Sequence, residues 1–90
     1  NASVGAGSII NSGAIVEHHC RIGRYSHVAP AAAMGARCQL GESVLIGIGA
    51  QLLPGLRVGD EAIVGAGAVA VGNVHGGQTV LGAPAQPRRR

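Results

Sequence analysis

The 90-residue chain has no lysine, phenylalanine or tryptophan and only one tyrosine. A nucleic-acid interface built from a basic stripe and stacking aromatics is therefore excluded. Charged residues make up 12% of the chain, and three of its seven arginines form the terminal run Arg88, Arg89 and Arg90. The other four arginines balance Glu17, Glu42, Asp60 and Glu61, so the net charge of +3 belongs to the tail and the body is neutral. No apolar run approaches the ~20 residues that a membrane-spanning helix requires, so no membrane partner is expected. Few charges do not imply disorder here, because 47% of the residues are hydrophobic. With no signal peptide recognised and Asn1 as the first residue, the sequence reads as a processed chain or a fragment.

What the chain has in excess is glycine, sixteen residues of it. An interior glycine costs a helix about 1 kcal/mol relative to alanine, which argues against a helical bundle. The glycines do not fall on every third position, which excludes collagen.

A period of six accounts for the composition. Counting in sixes from Val4 gives Ile10, Val16, Ile22, Val28, Met34, Leu40, Ile46, Leu52, Val58, Val64 and Ala70, all apolar. At 47% hydrophobic content, a given frame does this by chance about once in 10⁴. Four positions after each comes a mostly small residue, such as Ser8, Cys20, Ala32 or Ala50, and one position after comes Gly in seven of the twelve hexads. Bulky inward residue, corner glycine and small inward residue together describe one short strand and one tight turn. Glycine at the corner is expected to supply backbone angles that a Cβ penalises. Three such strands close an 18-residue coil. The predicted fold is all-β, a left-handed parallel β-helix of about four coils over residues 1–75, an exception to the usual right-handed crossover. Residues 76–90 are expected to close the far end, where Gly76, Gly77, Gly82, Pro84 and Pro87 end the repeat. The first coil would leave Val4, Ile10 and Val16 open unless a cap or partner covers them.

Residues eighteen apart stack in columns. The outward column Ile9, His27, Leu45, Ile63 carries three aliphatics and needs a partner surface, whereas Arg21, Gln39, Arg57, His75 reads as solvated. This asymmetry favours assembly by closed rotation, most simply a homotrimer. Beside each other run Ser12, Pro30, Ile48, Ala66 and Gly13, Ala31, Gly49, Gly67. Such a smooth strip with accessible amides suits a long flexible ligand such as a pantetheine arm, or simply lets subunits or turns pack closely.

Cys20 and Cys38 share an inward column as small core fillers. Parallel stacked strands direct both side chains the same way and would strain a bridge, so free thiols and a reducing, cytoplasmic setting are expected. Of the four histidines, His18 and His19 are adjacent at outward positions near a corner, with Glu17 before them. His18 reads either as a surface residue or as a catalytic base. Adjacent His18 and His19 are expected to diverge, and no second pair completes a metal site, so no metal is expected.

The stretch Asn11-Ser12-Gly13-Ala14-Ile15-Val16-Glu17-His18-His19-Cys20-Arg21-Ile22-Gly23, continuing to Ser26-His27-Val28-Ala29-Pro30, resembles the C-terminal domain of the sialic acid O-acetyltransferase and bacillosamine-pathway N-acetyltransferase family. The ending Val80-Leu81-Gly82-Ala83-Pro84-Ala85 is similar to that family's terminal segment. The resemblance implies a homotrimer with acetyl-CoA between adjacent prisms and His18 as general base, with Glu17 and His19 beside it as candidate modulators. It implies cofactor contacts at His27, at Gly47 and Ile48, and at Gly65 and Ala66, and an acceptor-sugar contact at Asn11. Arg88 of the basic tail would meet the CoA phosphates or belong to a flexible end. Family members commonly place an acidic residue after the base, where this chain has His19. The family's N-terminal nucleotide-sugar-binding domain has no counterpart in this sequence. The implied activity is acetyl transfer to an amine of a nucleotide-linked amino sugar, with sialic acid O-acetylation as the near alternative. A non-catalytic trimeric scaffold or truncated remnant is the alternative from another class.

Overall fold

A computed structural model describes residues 2–88, and these contain strands and turns but no helix. None of the described residues therefore forms a helix long and apolar enough to cross a membrane. Arg89 and Arg90 of the basic tail lie outside the described residues.

The strands form three sheets that repeat every third strand. The first sheet holds β1 (Ser3–Val4), β4 (Arg21–Ile22), β7 (Gln39–Leu40) and β10 (Arg57–Val58). The second holds β2 (Ile9–Ile10), β5 (His27–Val28), β8 (Leu45–Ile46) and β11 (Ile63–Val64), and the third holds β3 (Ile15–Val16), β6 (Ala33–Met34), β9 (Gln51–Leu52) and β12 (Val69–Ala70). All these pairings are parallel, and partners such as Ile9↔His27, His27↔Leu45 and Leu45↔Ile63 are eighteen residues apart. The expected β-solenoid of about four coils is what the chain forms.

Side-chain alternation sends one residue of each two-residue strand inward. From Ile22 onward the six-residue frame is buried without a break: Ile22, Val28, Met34, Leu40, Ile46, Leu52, Val58, Val64 and Ala70. The first coil stays open, with Val4 49% and Ile10 38% exposed. The small residues four positions on complete the core, and four of them also bond to the next coil. Ser8, Cys20, Ser26 and Cys38 donate to the carbonyls of Gly23, Gly35, Gly41 and Leu53, each fifteen residues further on. Cysteine and serine thus do the same work in this column, and both cysteines are free and buried. Ser26 also accepts from the Val44 amide at 3.0 Å. A buried donor or acceptor without a partner costs about 1–3 kcal/mol, so full engagement of Ser26 holds two coils together. Burial pushes the Cys38 thiol above its ordinary pKa, which keeps it protonated and a donor.

Two expectations are corrected here. The glycines that follow the inward residue do not supply the left-handed backbone. That conformation falls two positions later, at Gly13, His19, Tyr25, Ala31, Arg37, Ser43, Gly49 and Glu61 among others. Glycine recurs at the earlier position because the next coil passes too close for a Cβ, which at Gly47 would lie 2.7 Å from the Ala66 nitrogen. All four turns leaving the first sheet, at Gly5, Gly23, Gly41 and Gly59, obey this rule.

His75 also does not continue the column of Arg21, Gln39 and Arg57. The Val58↔Val74 bridge spans sixteen residues, so the last coil is two residues short and His75 falls one position beyond the bridge. The shortening carries forward into β13 (Thr79–Leu81), which pairs with β11 as Ile63↔Thr79. The chain then reverses, and β14 (Gln86–Pro87) pairs antiparallel with β13. Val80 is buried under this hairpin and Ala85 packs against the core, which closes the far end.

Candidate functional site

The turn from β3 to β4 carries His18 and His19, both exposed. His19 has φ 62°, and this left-handed corner turns the two adjacent side chains toward each other rather than to opposite sides. Their Nδ1 atoms are 2.8 Å apart and the rings meet edge to face at 90°, with centroids 5.1 Å apart. The expectation that the two histidines diverge is therefore wrong, because the left-handed backbone at His19 brings its ring back toward His18. The pKa of His19 lies below its ordinary value, with desolvation, His18 and Arg37 each lowering it. His19 consequently stays neutral to lower pH than a free imidazole.

Beside this corner opens a groove of about 540 Å³ lined by Ser3, His19, Cys20, Arg21, Arg37 and Gln39. Arg37 lies eighteen residues after His19 and donates its amide to the His18 carbonyl at 3.0 Å. Sequence reasoning passed over Arg37, although the coil period places it in the His19 column. Glu17 is exposed, and no hydrogen bond joins its carboxylate to either imidazole among the described residues.

A second cluster lies on the second sheet and the turns that leave it. Asn11 Oδ1 accepts from the Ser12 amide at 2.8 Å, which leaves its Nδ2 to donate to His27 Nε2 at 3.2 Å. This arrangement makes Nε2 of His27 an acceptor and leaves the proton on Nδ1. Below it runs the smooth strip. The amides of Ala31, Gly49 and Gly67 are not accessible, because they donate to the carbonyls of Ser12, Pro30 and Ile48. Gly47 and Gly65 are buried, and their amides donate to Val64 and Val80. The exposed residues Ile48 and Ala66 differ, since their amides bond to no described residue. Nothing lies within 4 Å of where a Cβ would sit at Gly49 or Gly67, so the strip is open as well as smooth.

The chain thus brings Asn11 to His27 and His18 to His19, but no hydrogen bond connects the two pairs among the described residues. His27 belongs to the second sheet, whereas His18 sits between the third and the first. Arg88 is exposed at the far end, its amide bonded to the Thr79 carbonyl at 2.7 Å. No group of three His, Cys, Asp or Glu side chains is arranged to hold a metal among the described residues.

Comparisons with known proteins extend this geometry. Residues 37–70 match the family described as bacterial transferase hexapeptide (six repeats). The fold is that of the hexapeptide-repeat transferases. A point mutant of the GDP-perosamine N-acetyltransferase of Caulobacter crescentus, solved with CoA and GDP-perosamine, superposes with a TM-score of 0.97 at 36% identity, covering 99% of this chain and 42% of that one. The acetyltransferase domain of PglB from Neisseria gonorrhoeae gives 0.86 at 36% identity, covering 97% of this chain and 45% of that one. A serine acetyltransferase from Neisseria gonorrhoeae gives 0.91 at 28% identity, covering 99% and 38%. The hexapeptide chain therefore spans about two fifths of the length of these structural relatives. No curated protein sequence gives a significant match.

Proposed function

We propose that this chain is the acetyl-CoA-binding β-helix of an acetyltransferase acting on an amine of a nucleotide-linked amino sugar, with His18 as general base. The observation that carries the reading is the likeness, over 99% of the chain at 36% identity, to an enzyme solved with CoA and an amino-sugar nucleotide. The higher identity to the GDP-perosamine N-acetyltransferase (36%) than to the serine acetyltransferase (28%) supports an amine acceptor over a hydroxyl. The strip fits the pantetheine arm of acetyl-CoA, since Ile48 and Ala66 offer unpaired amides beside open space at Gly49 and Gly67.

Because the strip and His18 lie on different parts of the prism, the site is complete only when the His18 corner of one copy meets the strip of a neighbour. A homotrimer in the cytoplasm provides this by closed rotation, using the apolar column Ile9, Leu45, Ile63 as its contact. In the reaction, the acceptor nitrogen attacks the thioester carbonyl while His18 takes the nitrogen's proton. The C–N bond forms, the C–S bond breaks, and the proton passes on to the leaving thiolate, giving the amide and free CoA. No covalent acyl-enzyme is involved.

Calorimetric titration of acetyl-CoA into the purified chain, with subunit mass measured on the same sample, tests this reading. Saturable binding near one molecule per subunit on a trimer is expected. A well-folded trimer that binds no acetyl-CoA would instead be a scaffold.

A further inference from the structure

We propose that His19 is the positioning residue for the His18 base: its Nδ1 accepts the Nδ1–H of His18 and leaves the Nε2 lone pair of His18 free for the acceptor's proton. The inference rests on the transferase reading and adds a role for the residue that follows the base.

A 2.8 Å contact between two Nδ1 atoms requires one N–H and one lone pair. If His19 were the donor, His18 would carry its proton on Nε2, and its remaining lone pair would be spent within the pair. With His18 as donor, Nε2 is bare on an exposed ring. Only this second assignment survives proton uptake unchanged, because an imidazolium at His18 has two N–H groups and must still donate from Nδ1. The hydrogen bond therefore needs no rearrangement during transfer. The surrounding charges select the same state. Arg37 acts on His19, and Arg21 and Arg37 line the groove beside it, so His19 is the ring held neutral. Glu17, the nearest carboxylate in sequence, bonds to neither ring.

The left-handed corner makes the role testable. Ala31 occupies an equivalent corner at φ 61°, so His19→Ala keeps a backbone that this chain already tolerates. Asparagine accepts αL readily, and its Oδ1 can replace the accepting nitrogen. His19→Ala is expected to lower kcat about 10–100-fold, the range typical of a lost orienting partner, with KM for acetyl-CoA nearly unchanged. His19→Asn should restore most of the loss. His19→Asp places a negative charge against the base and should move the acid limb of the pH profile of kcat/KM up by about one pH unit. Ring-nitrogen NMR on ¹⁵N-labelled wild-type protein reads the pair without turnover, and His18 is expected as the Nδ1–H tautomer. An Nε2–H tautomer at His18, averaged shifts, or a His19→Ala variant with wild-type kcat and pH profile would overturn the proposal. If no acceptor is turned over but the tautomer is as stated, the pair stands and the transferase reading fails.

Discussion

Replacing His18 with alanine is expected to lower acetyl transfer to an amino-sugar nucleotide by about 10²–10⁴-fold, the usual contribution of a positioned base. Acetyl-CoA affinity should change little. The side chain is exposed at a corner, and among the described residues its ring hydrogen-bonds to His19 alone, so its removal opens no cavity and the fold should be unaffected. Thiol release measured beside subunit mass separates lost chemistry from lost assembly. Turnover near the wild-type rate would remove His18 as the base, and with it the role assigned to His19.

Leu45→Glu should take the assembly apart. Leu45 stands in the middle of the outward column, with His27 on one side and Ile63 on the other. The free chain leaves Ile9 53% exposed and Leu45 38% exposed, so the column is an unpaired apolar face. A carboxylate buried there without a partner costs several kcal/mol per contact. The inner face of β8 is formed by Ile46, so the chain itself should still fold. Sedimentation should show a monomer with unchanged secondary structure. An unchanged oligomer mass would show that this column faces water.

The core was legible in the sequence because its signal is a strict count. A six-residue frame with no insertion from Val4 to Ala70 leaves little choice about what points inward. The open first coil and the free cysteines followed from the same count. The corners were read wrongly because Tyr25, Arg37 and Glu61 adopt left-handed angles without being residues that favour them. Coil-to-coil hydrogen bonding holds these residues there, as when Arg37 donates to His18. The glycines meanwhile mark close approach of the next coil. The two-residue shortening before Val74 changes the register, and no repeat count crosses such a deletion. The site was legible as a set of residues but not as pairs. Asn11 meets His27 across sixteen residues rather than eighteen, and His18 meets His19 through a turn, so neither contact follows from the columns.

In the proposed trimer one copy supplies His18 and a neighbour supplies the strip at Ile48 and Ala66. Mixing two inactive variants tests this most directly. His18→Ala removes the base, and Ala66→Trp blocks the exposed strip while leaving His18 intact. After dissociation and reassembly of equal amounts, random rings pair an intact base with an open strip at about one quarter of the interfaces, as expected for head-to-tail contacts. Recovery of activity toward a quarter of the wild-type value is the predicted result. Mixed trimers that stay as inactive as their parents would place base and strip in the same chain and contradict the claim.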